Sequence, residues 1–188
     1  MGWIALLDAC VLYPTATRDL LLRGAERYLY QVRWSAEIIA EMGDSLVRNG
    51  CVTREQSEAL VANMLEAFPE AMVDGHRALI PSMTNEPGDQ HVLAAAVAAR
   101  ADVLVTWNLR HFPPEACESF AIEVQTPDEF LAYSFDLAPE VMTDAFLTQV
   151  AEFTRPAFSL ETALSTLDER LPSLAARLRK MPKVAERL

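Results

Sequence analysis

One stretch of the chain, residues 85–108, combines a loop, a helix, a turn and a short apolar segment in that order. A Pro-Gly pair breaks regular structure, and Asp89 follows where a helix N-cap or a first-turn acid belongs. After an alanine-rich helical segment, residues 103–105 have the composition of a strand covered on both faces. Thr106 and Asn108 come directly after that strand, where open α/β sheets bind ligands. The sequence of this stretch therefore predicts that the acid Asp89 and the amide Asn108 lie at the same edge of a sheet.

The first two thirds of the chain alternate short apolar segments with amphipathic ones. The segments that read as strands are residues 3–7, 28–32, 71–73, 103–106 and 121–124. Helices are predicted to begin near Pro14, after an N-cap at Ser35, and at a capping box that opens with Thr53. This alternation favours parallel βα units and a sheet covered on both faces. We therefore predict an α/β fold with three α/β/α layers and a central parallel sheet of about five strands.

The pattern changes from about Leu131, beyond which no strand-like segment follows, and we place a domain boundary near residue 135. Two apolar series at helical spacing occur there, namely Phe135, Leu137, Val141, Phe146, Leu147, Val150 and Phe153, and then Leu160, Leu164, Leu167 and Leu171. Pro139, Pro156 and Pro172 lie near the predicted helix boundaries. Both series need packing partners. We predict an α/β domain at residues 1–134 and a helical C-terminal extension at residues 135–188.

Composition limits the classes of function that the chain can serve. The formal net charge of -11 argues against a general nucleic-acid coat, but it allows an enzyme that holds cations in an acidic pocket. No apolar run approaches the ~18 residues of a membrane span and the N-terminus lacks signal-peptide features, so we expect a cytoplasmic protein without membrane contact. Cys10, Cys51 and Cys117 form no C-x-x-C pair, which predicts reduced thiols.

Acidic residues fall at a predicted strand end and along one predicted helix. Asp8 directly follows the first apolar strand, a position that surface exposure does not explain. Glu37, Glu41 and Asp44 lie about one turn apart on the helix that follows Ser35, where like charges cost about 0.2–0.5 kcal/mol per pair. For Glu37 and Asp44, a solvated acidic face is the simpler interpretation. Carboxylates grouped at strand ends suit Mg²⁺ or Mn²⁺, which prefer oxygen ligands.

Several other phosphate and metal chemistries do not fit the sequence. The glycines form neither a G-x-G-x-x-G nor a Walker motif. A receiver domain needs a lysine after its fifth strand, whereas the first lysine here is Lys180, and a dehalogenase-like phosphatase needs an aspartate where Cys10 stands. His76, His91 and His111 lack zinc-protease spacing and are interpreted as surface or core histidines.

Four segments in order and at consistent spacing resemble a PIN domain, specifically the VapC-like ribonuclease toxins that carry a helical C-terminal extension. The segments are LLDACVL (residues 6–12), RWSAEIIAE (33–41), DQHVLAAA (89–96) and VLVTWNL (103–109), and the resemblance covers roughly residues 3–132. It places the family's first three acids on Asp8, Glu41 and Asp89, its fourth on Asn108, and its site threonine on Thr106. Glu41 is preferred to Glu37 because it lies six residues after the serine of the motif.

The resemblance implies a metal-dependent endoribonuclease toxin of a type II toxin–antitoxin system. Mg²⁺ or Mn²⁺ would be held by Asp8 and Asp89, with Glu41 and Asn108 around it. The implied partners are an RNA substrate, a small antitoxin protein and a second copy in a homodimer. The subgroup tends to carry acids at the positions of Gly88 and His111, so this pocket is less negative. The alternative is a catalytically weak or inactive PIN-like protein-interaction module, which Asn108 and the overall acidity favour.

Overall fold

The computed structural model of the protein describes residues 2–153 and 159–188. Its strands are β1 (Trp3–Leu7), β2 (Tyr30–Arg33), β3 (Val103–Val105) and β4 (Glu123–Gln125). Its α-helices are α1 (Ala9–Leu12), α2 (Thr15–Glu26), α3 (Ala36–Arg48), α4 (Arg54–Ala67), α5 (Gln90–Ala98), α6 (Pro114–Cys117), α7 (Pro127–Leu137), α8 (Pro139–Glu152), α9 (Leu160–Arg170), α10 (Pro172–Leu178) and α11 (Pro182–Ala185). Short 3₁₀ helices cover His76–Ser82, Pro87–Asp89, Leu109–His111 and Glu118–Phe120.

The chain divides into two compact units that are not contiguous in sequence. The first unit consists of Met1–Thr15 and Tyr30–Gln125, and the second of Ala16–Leu29 and Thr126–Leu188. The sequence-based boundary at residue 135 lies within α7, near its C-terminal end. The functional division into residues 1–134 and 135–188 stays a prediction. No helix in the described parts of the chain is both long enough and apolar enough to cross a membrane.

The first unit is built on a parallel sheet with the strand order β2-β1-β3-β4. β1 pairs with β2 and with β3, and β3 pairs with β4, all in parallel orientation. Leu6, Leu7 and residues 103–105 are almost fully buried, as expected for central strands covered on both faces. The predicted α/β class, with a central parallel sheet and additional C-terminal helices, is confirmed.

The sheet has four strands within the described residues, one fewer than the prediction of about five. Residues 71–73 were expected to form a strand, but they make only a single parallel bridge between Trp34 and Met72. Two other strands begin two residues later than predicted, because Tyr28 and Ala121 have φ angles of 59° and 56°. Extended strands need negative φ, so these two residues end the preceding segments instead of opening a strand.

Helix starts in the first unit follow the capping signals in the sequence. The Ser35 hydroxyl accepts a hydrogen bond from the Ile38 amide at the start of α3, and Thr53 and Gln56 form a reciprocal capping box at the start of α4. Along α3, Ile38, Ile39, Met42, Gly43 and Leu46 are buried. The opposite side of this helix carries Glu41 and is free to line a site.

The second unit is a helical assembly in which α7 packs on α8 and α10, and α9 packs on α10. Five of the eleven residues in the predicted apolar series are buried, namely Phe135, Phe146, Leu164, Leu167 and Leu171. Leu137 is 62% exposed, and the remaining five are half-buried. Helix α2 joins these helices, since the Gln149 side-chain amide donates to the Ala16 carbonyl at 2.9 Å. Pro139 and Pro172 each begin a helix, and Pro156 lies outside the described residues.

Candidate active site

Two of the predicted site residues are neighbours at the carboxyl edge of the sheet. The register of β1 and β3 pairs Leu7 with Val105, so the next residues along the two strands, Asp8 and Thr106, come side by side. The Asp8 amide donates to the Val105 carbonyl at 3.1 Å, which extends the pairing beyond the strands. Asp8 is only 3% exposed and Thr106 is fully buried. Parallel pairing therefore fixes the position of Asp8. Burial of its carboxylate would be costly without hydrogen-bond partners.

Two donors from the protein hold one oxygen of the Asp8 carboxylate. Thr106 Oγ1 donates to Asp8 Oδ2 at 2.6 Å, and the Cys10 thiol donates to the same oxygen at 3.0 Å. The backbone amide of Asn108 in turn donates to Thr106 Oγ1 at 3.0 Å, and the backbone amide of Trp107 donates to Cys10 Sγ at 3.3 Å. Within the described residues, no donor contacts Asp8 Oδ1. One oxygen is thus fixed by the protein while the other remains available to a ligand.

Cys10 is a member of the site that the sequence did not single out. Burial, together with the neighbouring Asp8 charge, raises the pKa of its thiol to about 12. The thiol therefore stays protonated at neutral pH and acts as a hydrogen-bond donor to Asp8. Its position two residues after Asp8, in the first turn of α1, is the only sequence signal for this role.

The four predicted metal-binding residues line one cavity of about 460 Å³ in the first unit. The lining residues are Asp8, Ala9, Cys10, Tyr13, Glu41, Ser45, Arg48, Asn49, Asp89 and Asn108. Asp8 comes from the end of β1, Glu41 from the exposed side of α3, Asp89 from the turn before α5, and Asn108 from the turn after β3. Thr106 lies behind Asp8 and does not itself line the cavity.

Asp89 occupies the N-cap position of α5, as the sequence predicts, but its side chain makes no capping hydrogen bond. Its carboxylate instead faces His111, whose Nδ1 lies 2.5 Å from Asp89 Oδ2. Both side chains are about three-quarters buried. The helix start therefore positions Asp89 through the backbone. The Asp89 carboxylate is directed towards His111, in the segment that follows β3.

Glu41 is half-exposed, and its Oε1 lies 3.1 Å from His91 Nε2. That separation suits an ion pair, although the ring is not oriented for a hydrogen bond. Partial burial raises the pKa of Glu41; His91 opposes this rise, and the charges of Asp8 and Asp89 reinforce it. The Glu41 carboxylate therefore experiences the negative charge of both other acids across the cavity.

Glu37, the acid one turn earlier on α3, has different surroundings and does not line the cavity. Its carboxylate accepts a hydrogen bond from Arg77 Nε and lies 3.2 Å from His76 Nε2. Partial burial works to raise its pKa, but the bond from Arg77 and the nearby His76 outweigh it and lower the pKa overall. The choice of Glu41 over Glu37 as a site residue thus agrees with their positions.

All three histidines of the chain lie beside acids, a feature that their sequence spacing did not reveal. His91 and His111 contact Glu41 and Asp89 at the cavity, and His76 contacts Glu37. Each of the three pairs is brought together by packing between segments that are distant in the sequence. The interpretation of these residues as bland surface or core histidines therefore missed their contacts with the acids.

The donor chemistry of the cavity fits a divalent cation such as Mg²⁺ or Mn²⁺. Three carboxylates and one amide supply oxygen ligands, and Asp8 Oδ1 has no donor among the described residues. Burial raises the pKa of Glu41, and the charges of Asp8 and Asp89 add to that rise. Among residues 2–153 and 159–188, however, no three His, Cys, Asp or Glu side chains are grouped closely enough to hold an ion as they stand. Glu41 and Asp89 are instead directed to histidines.

Comparisons with known proteins agree with this architecture. A family model described as "PIN domain" matches residues 5–110, and one described as "VapC50 C-terminal domain" matches residues 127–180. The chain is 40% identical over 111 residues to "Putative ribonuclease VapC50" of Mycobacterium tuberculosis (strain ATCC 25618 / H37Rv), an alignment that covers 59% of this chain and 66% of that relative. The chain therefore spans just under two thirds of the relative's length. No solved structure matches the chain.

The PIN-domain match covers more than half of the chain and includes every predicted site residue. The matched segments form a parallel sheet with acids at its carboxyl edge. This protein belongs to the PIN-domain family, and the helices that follow its PIN domain resemble the VapC50 C-terminal domain.

Proposed function

We propose that the protein is a metal-dependent endoribonuclease, and that it acts as the toxin of a type II toxin–antitoxin system. The observation that carries the proposal is the single cavity lined by Asp8, Glu41, Asp89 and Asn108 at the carboxyl edge of a parallel sheet. The name of the relative, which describes a ribonuclease, supports the same reaction class. A cavity that combines several acids with an amide suits phosphodiester hydrolysis assisted by a cation.

In this proposal, Asp8 and Asp89 are the main metal ligands, with Glu41 and Asn108 completing the oxygen donor set. A Mg²⁺ or Mn²⁺ ion held there supplies Lewis-acid stabilisation of the phosphate charge and lowers the pKa of the attacking water. Thr106 and Cys10 hold Asp8 Oδ2, so that Oδ1 stays directed at the cavity. Asn108 contributes a carbonyl oxygen without charge, which places the negative charge of the site on three carboxylates.

Loading the site requires two local rearrangements of side chains. Glu41 must turn from His91, and Asp89 must share or leave its contact with His111, because the acids are not grouped for a metal in the structure described above. Glu41 is half-exposed and stands on a helix surface, so its side chain has room to rotate. We propose that the released histidines then support the carboxylates from outside the metal's ligand sphere, as outer partners of metal ligands commonly do.

The direct test is RNA cleavage with Mn²⁺ by the wild-type protein and by the Asp8→Asn and Asp89→Asn variants. We expect cleavage by the wild type and a loss of at least about 100-fold in both variants, since each removes a charged metal ligand. Asp44→Asn is the matched control, because Asp44 stands on α3 but pairs with Arg54 at 2.6 Å outside the cavity. Equal activity in all four proteins would contradict the assignment of the site.

The second candidate is a PIN-like protein-interaction module without productive metal binding. The pairing of Glu41 and Asp89 with histidines favours it, because these contacts satisfy two acids without a cation. Thermal melting with and without Mn²⁺ separates the two candidates. A nuclease site predicts a Mn²⁺-dependent rise in melting temperature that Asp8→Asn abolishes, since a ligand that binds the folded state stabilises it. An interaction module predicts no rise in either protein.

The partners of the proposed toxin are RNA, a small antitoxin and a second copy of the chain. The antitoxin and the homodimer belong to the proposal through the likeness to VapC-type proteins. Sedimentation of the purified protein tests the dimer, with a monomer at all concentrations as the opposing result. Growth arrest on expression, absent in the Asp8→Asn variant, tests the toxin role independently of the oligomeric state.

A further inference from the structure

The cavity is acidic at one end and basic at the other along the same helix. Glu41, Ser45 and Arg48 lie on the cavity side of α3, and Arg48 is the basic residue among those that line it. At about 1.5 Å of rise per residue, Arg48 stands about 10 Å beyond Glu41 along the helix. Its guanidinium donates to Ser45 Oγ at 3.1 Å, which directs it along the cavity-lining face.

A second arginine approaches the site from the segment that follows β3. Arg110 Nε donates to His111 Nε2 at 3.2 Å, and the other ring nitrogen of His111 contacts Asp89. Arg110 is exposed and lies two residues after Asn108, which lines the cavity. The carboxylates are thus accompanied by one arginine on α3 and another beside the Asp89–His111 pair.

Two further arginines of the first unit pair with carboxylates. Arg54 forms an ion pair with Asp44, and Arg77 forms one with Glu37. Within the described parts of the chain, no carboxylate pairs with Arg48 or Arg110. Two uncompensated guanidinium groups beside an acidic cavity, in a chain of net charge -11, are suited to bind an anion at that place.

We propose that Arg48 and Arg110 bind backbone phosphates of a single-stranded RNA that crosses the cavity. The scissile phosphate lies over Asp8 and Asp89, and the two arginines hold phosphates that flank it on either side. This inference rests on the proposed ribonuclease function for the identity of the substrate. It explains how an acidic protein holds a polyanion, since guanidinium contacts release counterions and offset the repulsion from the acids.

The test is binding of a fluorescein-labelled single-stranded RNA, followed by anisotropy in EDTA over a series of salt concentrations. The proteins are the wild type, Arg48→Gln, Arg110→Gln and the double variant, with Arg54→Gln and Arg77→Gln as controls that remove the same charge from paired arginines. We expect each single variant to bind RNA severalfold more weakly than the wild type. The slope of log binding constant against log salt concentration should become smaller in magnitude by about 0.7 in each single variant and by about 1.4 in the double variant. The controls should retain the wild-type slope.

An unchanged slope in the double variant, an equal loss in the controls, or no RNA binding by the wild type would overturn the proposal. Circular dichroism of each variant confirms folding, which these exposed side chains should not affect. Because EDTA removes the cation, the binding result is independent of cleavage. If the wild type fails to cleave with Mn²⁺ while the arginine effects persist, the nuclease proposal fails and the RNA-binding site stands. If the wild type cleaves RNA with Mn²⁺ while the double variant binds RNA as tightly as the wild type, the nuclease proposal stands and the RNA-binding site fails.

Discussion

Thr106 Oγ1 donates a 2.6 Å hydrogen bond to Asp8 Oδ2 between two residues that stand next to each other at the ends of paired strands. Both side chains are buried, so this bond holds the Asp8 carboxylate where water cannot replace the hydroxyl. Asp8 is the acid whose position depends most directly on the sheet. The Thr106–Asp8 contact is therefore the link between the fold of the first unit and its proposed chemistry.

Thr106→Val should remove this donor while keeping the shape of the side chain. We expect the free energy of unfolding to fall by about 1.5–3 kcal/mol, the range for a hydrogen bond to a charged group. RNA cleavage should fall as well, because Asp8 loses its fixed orientation. Thr106→Ser keeps the hydroxyl and should behave nearly as the wild type. Chemical denaturation and a cleavage assay check both effects, and equal stability of the valine and serine variants would contradict this role.

Neutralising Glu41 and neutralising Glu37 should change the free energy of unfolding in opposite directions, although the two residues are one turn apart on α3. The raised pKa of Glu41 means that its ionisation weakens the metal-free folded state. Glu41→Gln should therefore increase the free energy of unfolding at neutral pH in EDTA. The gain should disappear as the pH falls below the ordinary glutamate pKa, where Glu41 is protonated in both the folded and the unfolded states.

The lowered pKa of Glu37 has the opposite sign, because its ionised form gains Arg77 and His76 as partners in the folded state. Its contribution is present above the ordinary glutamate pKa and is lost as the pH falls through the lower folded-state value. Glu37→Gln should thus decrease stability at neutral pH, with no difference from the wild type in strong acid. Urea unfolding at several pH values measures both variants, and changes of the same sign would refute this account.

Asp128 supports the second unit by capping a neighbouring helix. Its carboxylate accepts hydrogen bonds from the Ser173 and Leu174 amides at 3.0–3.1 Å, at the start of α10, whose own N-cap residue Leu171 makes no side-chain cap. Asp128→Ala should cost about 0.5–2 kcal/mol, the range for losing an N-cap. Asp128→Asn keeps a carbonyl acceptor and should cost less. Thermal melting distinguishes the two, and identical melting temperatures would exclude the capping role.

Deletion of residues 135–188 should give an insoluble or aggregated protein. The fragment would keep α2 and most of α7, which belong to the second unit, but it would lose α8 and α10, against which α7 packs. Buried apolar residues such as Phe130 and Leu131 would then be exposed. Expression of residues 1–134 and size-exclusion chromatography test this. A monodisperse fragment that cleaves RNA would show that the extension is dispensable for folding.

Local features of the sequence determined most of the fold. The caps at Ser35 and Thr53 depend on residues three positions away, so their effect was readable without tertiary structure. The same is true of β1 and β3, whose apolar runs identify buried parallel strands. Residues 71–73 were misread as a strand because a short apolar segment does not specify how many backbone pairs it forms, and here it forms one bridge.

Contacts across the site were decided only by the tertiary structure. The sequence placed acids at strand and helix ends, but the register that pairs Leu7 with Val105 brings Thr106 to Asp8 across 98 residues. The contacts of His91 with Glu41 and of His111 with Asp89 join segments whose spacing carries no periodic signal. Helix periodicity reports neighbours within about four residues, whereas side-chain pairing between elements depends on packing geometry that no local pattern encodes. The sequence by itself thus determined which residues could form a site, and packing decided which of them contact each other.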